Sequence, residues 1–335
     1  MSYRDVTARF SERTTKEKGL VVVMALLVLV PLVTTRYLSF LSAQFLLFAI
    51  LGLSLGLIWG YGGILSFGHA AFFGLGAYCM AWSYEYLSVG INSGYIGVVA
   101  AAIVPALLAV LLGAFLFYSE VKDVYFVIIT LAVSVILEQL ATSSGIMFDI
   151  FGGFNGLYLP RLSLTIPGVG GIGLNDRMFY VLAVVAIAIA YLGCRQLVRS
   201  HFGQVLVAIR ENEERTQALG YNTARYKTLV FGFSAGLAGI AGALYATLAG
   251  FISPTLLGFA LSTEVVIWVA VGGRQYLGGA IIGSVLVNAF SSGLSEAIST
   301  RYRLVLGLLF ILVVVAFRRG LAGPVVTWMR GGESG

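Results

Sequence analysis

The sequence is poor in charge and in cysteine, and each shortage excludes a class of protein. Only 11% of the 335 residues are charged and 59% are apolar, whereas about 25% charged residues is typical of a soluble domain. A soluble enzyme is excluded, because so much apolar surface cannot be kept from water. The only cysteines, Cys79 and Cys194, stand in apolar runs. They therefore predict packing residues rather than a disulfide or a metal site.

Catalytic motifs are equally scarce. The sequence contains no G-x-x-x-x-G-K-[ST] motif, which excludes ATP binding through a P-loop in this chain. Its only histidines are His69 and His201, too few for the usual zinc sites and a weak basis for a His-activated nucleophile. We therefore expect a protein that is not an enzyme, has no catalytic residues, and binds no metal or cofactor of its own.

Long apolar runs are what the sequence has instead. A transmembrane helix needs about 20 mostly apolar residues, and the chain has 42 glycines, which suit close packing of such helices. The sequence predicts an all-α polytopic membrane protein with about eight to ten transmembrane helices. The candidate helices are 19–35, 37–58, 69–88, 95–118, 124–142, 178–198, 228–250, 255–272, 278–296 and 303–318. Two groups at G-x-x-x-G spacing predict close helix contacts: Gly52, Gly56 and Gly60, and Gly232 and Gly236. We expect these contacts within the chain; the alternative is contact with a second membrane subunit.

The basic residues predict the orientation of these helices. With the N-terminus inside, sixteen of the 21 Lys and Arg residues fall on inner segments and five on outer ones, in agreement with the positive-inside rule. The net charge of +6 then reflects the lipid bilayer, not nucleic acid. The predicted parts are a cytoplasmic N-terminal segment 1–18, one transmembrane domain 19–320 with an external loop 143–177 and a cytoplasmic loop 199–227, and a cytoplasmic tail 321–335.

A short repeat relates the two halves of the chain. IWGYGG from Ile58 and IWVAVGG from Ile267 both lead from Ile-Trp to a glycine pair and then to a helix rich in small residues. Glycine-interrupted apolar segments at matching places mark substrate routes in transporters. Gly62-Gly63 and Gly272-Gly273 therefore predict two broken helices. The alternative is that each pair simply ends one helix before the next begins.

Polar side chains in the apolar runs are candidates for a substrate route. His69 follows the first glycine pair, with Ser66 just before it, and could hydrogen-bond substrate or satisfy a freed backbone carbonyl. Glu138 and Glu264 are intramembrane carboxylates, which suggest a transport role. Glu264 follows Ser262-Thr263 and could instead begin a helix, and Glu138 could reach water. The pathway candidates are Gly62, Gly63, Ser66, His69, Glu264, Gly272 and Gly273.

The polar stretch from Glu211 to Asn222 predicts a docking segment. ENEERTQAL favours a helix, Gly220 breaks it, and apolar residues are few. An isolated helix this short is marginal in water, and a membrane-surface helix would need a broad apolar face. We therefore expect the segment to dock into a cleft of a partner protein; the alternative is a solvated loop.

Four motifs in order resemble the LivM-type permease subunits of branched-chain amino acid ATP-binding-cassette (ABC) importers. They are GYGGILSFGHAAFFGLGAY, VYFVIITLA, GGFNGLY and FGQVLVAIRENEERTQALGYNTARYK, and the resemblance covers roughly residues 45–320. It implies a second, LivH-like permease, two ATPase subunits that use ATP and Mg²⁺, an extracytoplasmic binding protein, and a bacterial inner membrane. The implied function is import of leucine, isoleucine and valine. The alternatives are a urea or short-amide importer of the same family, and an ion-coupled secondary carrier.

The resemblance also implies roles for residues of the inner loop. ENEERTQALGYN resembles the coupling loop that ABC importers present to their ATPases, although it departs from the usual Glu-Ala-Ala pattern. Carried over by position, the contact residues and their neighbours are Arg210, Glu211, Glu214, Ala218, Leu219 and Gly220.

Overall fold

The computed structural model describes residues 35–86, 93–121, 123–143, 150–161, 163–166, 170–298 and 307. These residues are mostly helical, which confirms the predicted all-α membrane class. The helices are α1 (Arg36–Gly62), α2 (His69–Tyr86), α3 (Ser93–Tyr118), α4 (Asp123–Thr142), α5 (Asp176–Arg199), α6 (His201–Glu211), α7 (Glu213–Ala218), α8 (Thr223–Ala249), α9 (Phe259–Gly272) and α10 (Leu277–Ile298). The predicted helices 19–35 and 303–318 and the segments 1–18 and 321–335 lie outside the described residues, except for residues 35 and 307.

Six of the described helices are long and apolar enough to cross a membrane. They are Arg36–Gly62, Ser93–Tyr118, Val124–Thr142, Asp176–Arg199, Thr223–Ala249 and Leu277–Leu294. The predicted span 255–272 is wrong: it consists of a 3₁₀ turn, Pro254–Leu257, and the 14-residue helix α9. That helix is too short to cross a bilayer of ordinary thickness.

Two small antiparallel ladders belong to the loop predicted outside. Strand β1 (Leu157–Tyr158) pairs with β4 (Phe251–Ile252), which follows α8. Strand β2 (Ser163–Ile166) pairs with β3 (Gly170–Gly173) within the loop. The first ladder therefore fixes the loop to the C-terminal end of α8.

Helices α1 and α8 are the most buried long helices, and their glycines bring other helices against them. On α1, a β-carbon on Gly52 would overlap Ser284 of α10, and one on Gly60 would overlap the carbonyl oxygen of Arg274. On α8, Gly232 packs in the same way against Val110 of α3. The G-x-x-x-G groups therefore make contacts within the chain, as expected.

Between α1 and α2 the chain turns back into the bundle. Gly63 closes α1 in the left-handed conformation (φ +73°), and residues 64–68 are not helical. His69 then begins α2 with its ring nitrogen Nε2 2.9 Å from Oγ of Ser54. Ser54 lies eight residues before Gly62, or about 12 Å along α1. Helix α2 therefore starts well inside the bundle, not at its surface as the predicted helix 69–88 implied.

A second discontinuity follows α8. Gly250 closes α8 at φ +70°, and β4 and the 3₁₀ turn then lead inward to the start of α9 at Phe259. In the first turn of α9, Oγ of Ser262 accepts the backbone N–H of Ala70 at 3.3 Å. Leu257, just before α9, lies against Gly74 in the second turn of α2. The first turns of α2 and α9 therefore overlap side by side inside the bundle, and the two helices run towards opposite ends of it.

The two ends of the bundle carry different elements. The polar end comprises α6, α7 and the turns 119–121 and 273–276; there Arg210 reaches Gly60, and Gly60 touches Arg274. The hairpin end carries β1 and β4, and Trp82, near the end of α2, donates to the carbonyl oxygen of Ile150 there at 2.7 Å. The described parts of three segments predicted inside, 119–123, 199–227 and 273–277, thus share the polar end. That this end faces the cytoplasm stays a prediction.

Candidate transport site

The N-terminal ends of α2 and α9 meet inside the bundle and form the candidate site. Non-helical backbone at membrane depth is stable only where protein or a watery cavity surrounds it, and Ile64, Ser66 and Gly68 are indeed buried. The start of a helix also has free N–H groups and the positive end of the helix dipole. The buried start of α2, beside the first turn of α9, therefore favours a polar or negatively charged group next to it.

His69 is the centre of a buried polar cluster. Its side chain is 0% exposed, and Nε2 lies 2.9 Å from Oγ of Ser54 on α1 and 3.2 Å from Oγ of Ser234 on α8. The ring of Phe72 meets the imidazole edge-on at 5.8 Å between centroids. Three helices are thus joined through one imidazole ring.

Helix α4 presents three residues at four-residue spacing to the two discontinuities: Thr130, Ser134 and Glu138. Gly68 packs on the backbone of Thr130 with no room for a β-carbon. Ser134 donates a 2.5 Å hydrogen bond to the carbonyl oxygen of Leu257, and the carboxylate of Glu138 lies against Gly258, the residue before α9. A carboxylate is stabilised at a helix start by the dipole. Helix α4 therefore supports both discontinuous segments.

The predicted docking segment forms a solvent-facing surface at the polar end. Asn212 separates α6 from α7, and its side chain caps α7 by accepting the N–H of Arg215 at 2.8 Å. Gly220 then turns the chain at φ +90°. Leu219 is 71% exposed, so a large apolar side chain stands among charged ones. Among the residues predicted at the coupling contact, Glu211, Glu214, Ala218, Leu219 and Gly220 are exposed on this surface.

A partly buried ion pair holds this surface on the bundle. Nζ of Lys227 lies 2.5 Å from Oε2 of Glu213 and 5.6 Å from the centroid of Phe117. Beside the surface is an open groove of about 350 Å³ between the α3–α4 turn and the α7–α8 turn. Its walls include Tyr118 and Glu120 on one side and Gln217, Tyr221 and Asn222 on the other.

Arg210 differs from the other residues predicted at the coupling contact. Its Nη1 donates to the carbonyl oxygen of Gly60, in the last turn of α1, and its side chain packs against Gly63. At the same end of α1, the guanidinium of Arg274 lies 5.4 Å from the centroid of the Trp59 ring. Two cations thus stand where the α1 dipole is negative. Arg210 joins the docking segment to α1.

The two glycine pairs do not have the same role. Gly62 and Gly63 precede a discontinuity, as the repeat predicted. Gly272 ends α9, but Gly273 (φ +102°) begins a short turn into α10 at the polar end, so the second predicted break is wrong. The second discontinuity lies instead at 250–258, before α9.

The remaining pathway candidates separate into buried and exposed residues. Ser66 and His69 are 0% exposed at the start of α2. Glu264 does not begin a helix, because α9 already starts at Phe259, and it is exposed on the surface of the bundle. The structure therefore brings Ser66 and His69 to one end of α2 and leaves Glu264 apart from them.

Sequence reasoning missed the serines that complete the site: Ser54, Ser134, Ser234 and Ser262. Each is a single small hydroxyl in an apolar run, which reads as a packing residue. The second discontinuity did have a signal, since Pro254 stands between Gly250 and Gly258. Pro and Gly interruptions in apolar segments point to discontinuous helices.

Membrane-spanning helices around two discontinuous segments and a buried polar site define a multi-pass membrane transport protein. A family model described as branched-chain amino acid transport system / permease component matches residues 37–315. The chain therefore belongs to this family of permease components, which are transport components and not enzymes. This confirms the resemblance found in the four sequence motifs.

Individual relatives are similar over most of the chain. One relative is the LivM permease of a high-affinity branched-chain amino acid transport system from Salmonella typhimurium. It is 28% identical, and the alignment covers 92% of this chain and 75% of the relative. The LivH permease of a high-affinity branched-chain amino acid transport system from Escherichia coli is 23% identical, and the alignment covers 82% of this chain and 91% of the relative. The LsrC permease of an autoinducer 2 import system from Salmonella typhi is 28% identical, and the alignment covers 60% of this chain and 55% of the relative. No solved structure matches the chain.

Proposed function

We propose that this chain is one of two permease subunits of an ATP-driven importer for leucine, isoleucine and valine in a bacterial cytoplasmic membrane. Two partner ATPases use ATP and Mg²⁺, and an extracytoplasmic binding protein delivers the substrate. One observation carries the proposal: an exposed helical surface at the polar end is joined through α1 to a buried polar site. Membership of the permease family and similarity to both LivM and LivH support it.

The ATPases dock on the surface from Glu211 to Gly220. An exposed Leu219 supplies the apolar anchor that such a contact needs, and the neighbouring groove can receive a side chain of the partner. When ATP closes the ATPases, α7 moves, and Arg210 passes the movement to the end of α1. The starts of α2 and α9 then separate and alternate the access to the buried site.

The orientation follows from the basic residues. Of the ten Lys and Arg residues in the described part of the chain, seven belong to the polar end, so we infer that this end lies in the cytoplasm. Both termini lie there too by the predicted order of spans. The hairpin end then faces outward and receives the binding protein. The second, LivH-like permease stands beside this chain in the bilayer.

Site-specific crosslinking tests the docking surface. The native cysteines Cys79 and Cys194 are buried, so an added cysteine can be addressed selectively. In the assembled complex, we expect Leu219→Cys to crosslink to an ATPase subunit. The control Leu111→Cys, on an equally exposed face of the membrane helix α3, should not. An ATPase crosslink from Leu111→Cys, or none from Leu219→Cys, contradicts the docking assignment.

Uptake tests the substrate. In the native host, deletion of the gene should abolish uptake of labelled leucine and leave uptake of labelled urea unchanged. Loss of urea uptake alone would move the protein to the urea or amide importers. The similarity to an autoinducer 2 permease keeps that compound as a second candidate, and it belongs in the same assay. Uptake that persists when the ATPase is inactive but the proton gradient is kept would indicate an ion-coupled carrier.

A further inference from the structure

The start of α2 contains two buried polar atoms whose hydrogen-bonding capacity is unused. Among the described residues, Oγ of Ser66 and Nδ1 of His69 have no hydrogen-bond partner, although both side chains are 0% exposed. Buried polar atoms are normally paired, because leaving one unpaired is unfavourable. Two such atoms three residues apart indicate that this place is built for a group from outside the chain.

The hydrogen bonds around His69 determine which ring nitrogen carries the proton. Ser54 donates its only hydroxyl hydrogen to the carbonyl oxygen of Leu51 at 2.7 Å, and Ser234 donates its own to the carbonyl oxygen of Ser54 at 2.5 Å. Both hydroxyls therefore offer only lone pairs to Nε2 of His69. We assign the proton to Nε2, which donates to both serines.

This assignment makes Nδ1 an acceptor. The two partners of the ring are neutral hydroxyls, and a charged imidazolium fully removed from water is costly without a counter-charge. In the neutral ring one nitrogen donates and the other accepts. Nδ1 of His69 therefore needs a group that donates a hydrogen, such as an ammonium.

Ser66 and the helix start favour the opposite kind of group. A serine hydroxyl can donate to an anion, and the positive end of the helix dipole at the start of α2 attracts negative charge. An α-amino acid carries an ammonium and a carboxylate on the same carbon, so one molecule can satisfy both needs. Urea carries N–H donors but no anion, and it would leave the second need unmet.

We propose that Nδ1 of His69 and Oγ of Ser66 bind the main-chain groups of a zwitterionic α-amino acid on its way through the membrane. The ammonium donates to Nδ1, and the carboxylate accepts from the Ser66 hydroxyl at the start of α2. The side chain of the substrate lies towards apolar neighbours such as Phe72. Entry requires that Ala70 and Ser262 separate, since His69 is closed from solvent. This inference rests on the proposed function.

A pair of substitutions separates the two nitrogens of His69. The amide of glutamine reaches the position of Nε2, so His69→Gln can still donate to Ser54 and Ser234 but has no acceptor at Nδ1. The shorter side chain of His69→Asn places its amide near the position of Nδ1 and no longer reaches the hydroxyls of Ser54 and Ser234. In the complete importer, reconstituted in proteoliposomes with binding protein and ATP, we expect His69→Gln to assemble with an unchanged Tm and to import leucine at least tenfold more slowly. His69→Asn should lower the Tm and import more leucine per assembled complex than His69→Gln.

Ser66→Ala tests the second atom without disturbing the fold. The substitution removes no hydrogen bond of the described chain, so the Tm of the complex should stay unchanged. Leucine uptake, in contrast, should decrease. The control Ser83→Ala removes another buried serine of α2, whose hydroxyl donates to the carbonyl oxygen of Met80 in its own helix, and should leave uptake unchanged. If His69→Gln does not assemble, Ser66→Ala decides alone.

The outcomes distinguish this inference from the proposed function. Wild-type uptake of leucine by His69→Gln, or by Ser66→Ala, would overturn the inference and leave the importer assignment intact. If the wild-type complex hydrolyses ATP but imports no amino acid, the proposed substrate is wrong, and the inference is overturned with it.

Discussion

The contact between Arg210 and the end of α1 makes a quantitative prediction about coupling. Arg210→Met keeps an unbranched chain that can pack against Gly63, but it removes the donor to the carbonyl oxygen of Gly60. The docking segment then holds α1 only by packing. We expect ATP hydrolysis to continue while less of the movement reaches the buried site.

The size of the effect follows from the kind of bond. A hydrogen bond with a charged partner contributes about 1.5–3 kcal/mol, and the Arg210 side chain is 33% exposed, which favours the lower value. About 1.5 kcal/mol corresponds to a roughly tenfold change in a rate or an equilibrium. Leucine imported per ATP hydrolysed should therefore fall about tenfold.

The assay is the ratio of leucine uptake to ATP hydrolysis in proteoliposomes containing the complete importer. Arg210→Lys keeps the charge and should retain part of the ratio. Arg199→Met, which removes an exposed arginine in the last turn of α5, is the matched control and should leave the ratio unchanged. An unchanged ratio in Arg210→Met, with normal assembly, would refute the role of this contact.

Three shorter predictions follow from the packing. Gly76→Ala should strongly reduce the folded yield, because its β-carbon would fall on the backbone of α8, whereas Gly278→Ala, with open space around it, should not; fluorescence-detected size exclusion measures both. Lys227→Met should lower the Tm modestly, since Glu213 loses its ion-pair partner but keeps access to water, and Lys227→Met combined with Glu213→Gln should recover part of the loss. Gly220→Ala should weaken ATPase co-purification, because a β-carbon at φ +90° costs roughly 1–2 kcal/mol, and Gly220→Asn should weaken it less.

The long helices and the glycine contacts could be predicted because they depend on local composition. Runs of about 20 apolar residues can only be satisfied by crossing the bilayer, and glycines four residues apart lie on one face of a helix. The exposed segment around Leu219 was predictable for the same reason, since its charges contrast with every neighbouring stretch.

The glycine repeat predicted the first discontinuity, but the depth of either one in the bundle could not be predicted from composition. Residues 64–68 contain Ile64, Leu65 and Phe67, so by hydropathy they continue the apolar run, and only the packing of Gly68 on Thr130 shows that they run inside the bundle as non-helical chain. Likewise Gly62-Gly63 and Gly272-Gly273 look alike in sequence, but one leads into a buried segment and the other into a turn at the surface. Depth in the bundle is a property of tertiary contacts, not of composition.

Helix α1 contacts both Arg210 of the docking segment and His69 of the buried site. This predicts how a movement at the docking surface reaches that site. Arg210 bonds to Gly60, and Ser54, six residues earlier, accepts from His69; the separation along the helix is about 9 Å. Effects of two substitutions at this distance without shared partners should add within about 0.5 kcal/mol, or roughly twofold in a rate.

If α1 transmits movement as a rigid body, the uptake-to-hydrolysis ratios of Arg210→Met, Ser54→Ala and the double variant should instead deviate from additivity by about fivefold, because either change alone already breaks the connection. The control pair, Arg210→Met with Ser83→Ala, should be additive. Additivity in both pairs would mean that the ATPase surface reaches the buried site by another route than α1.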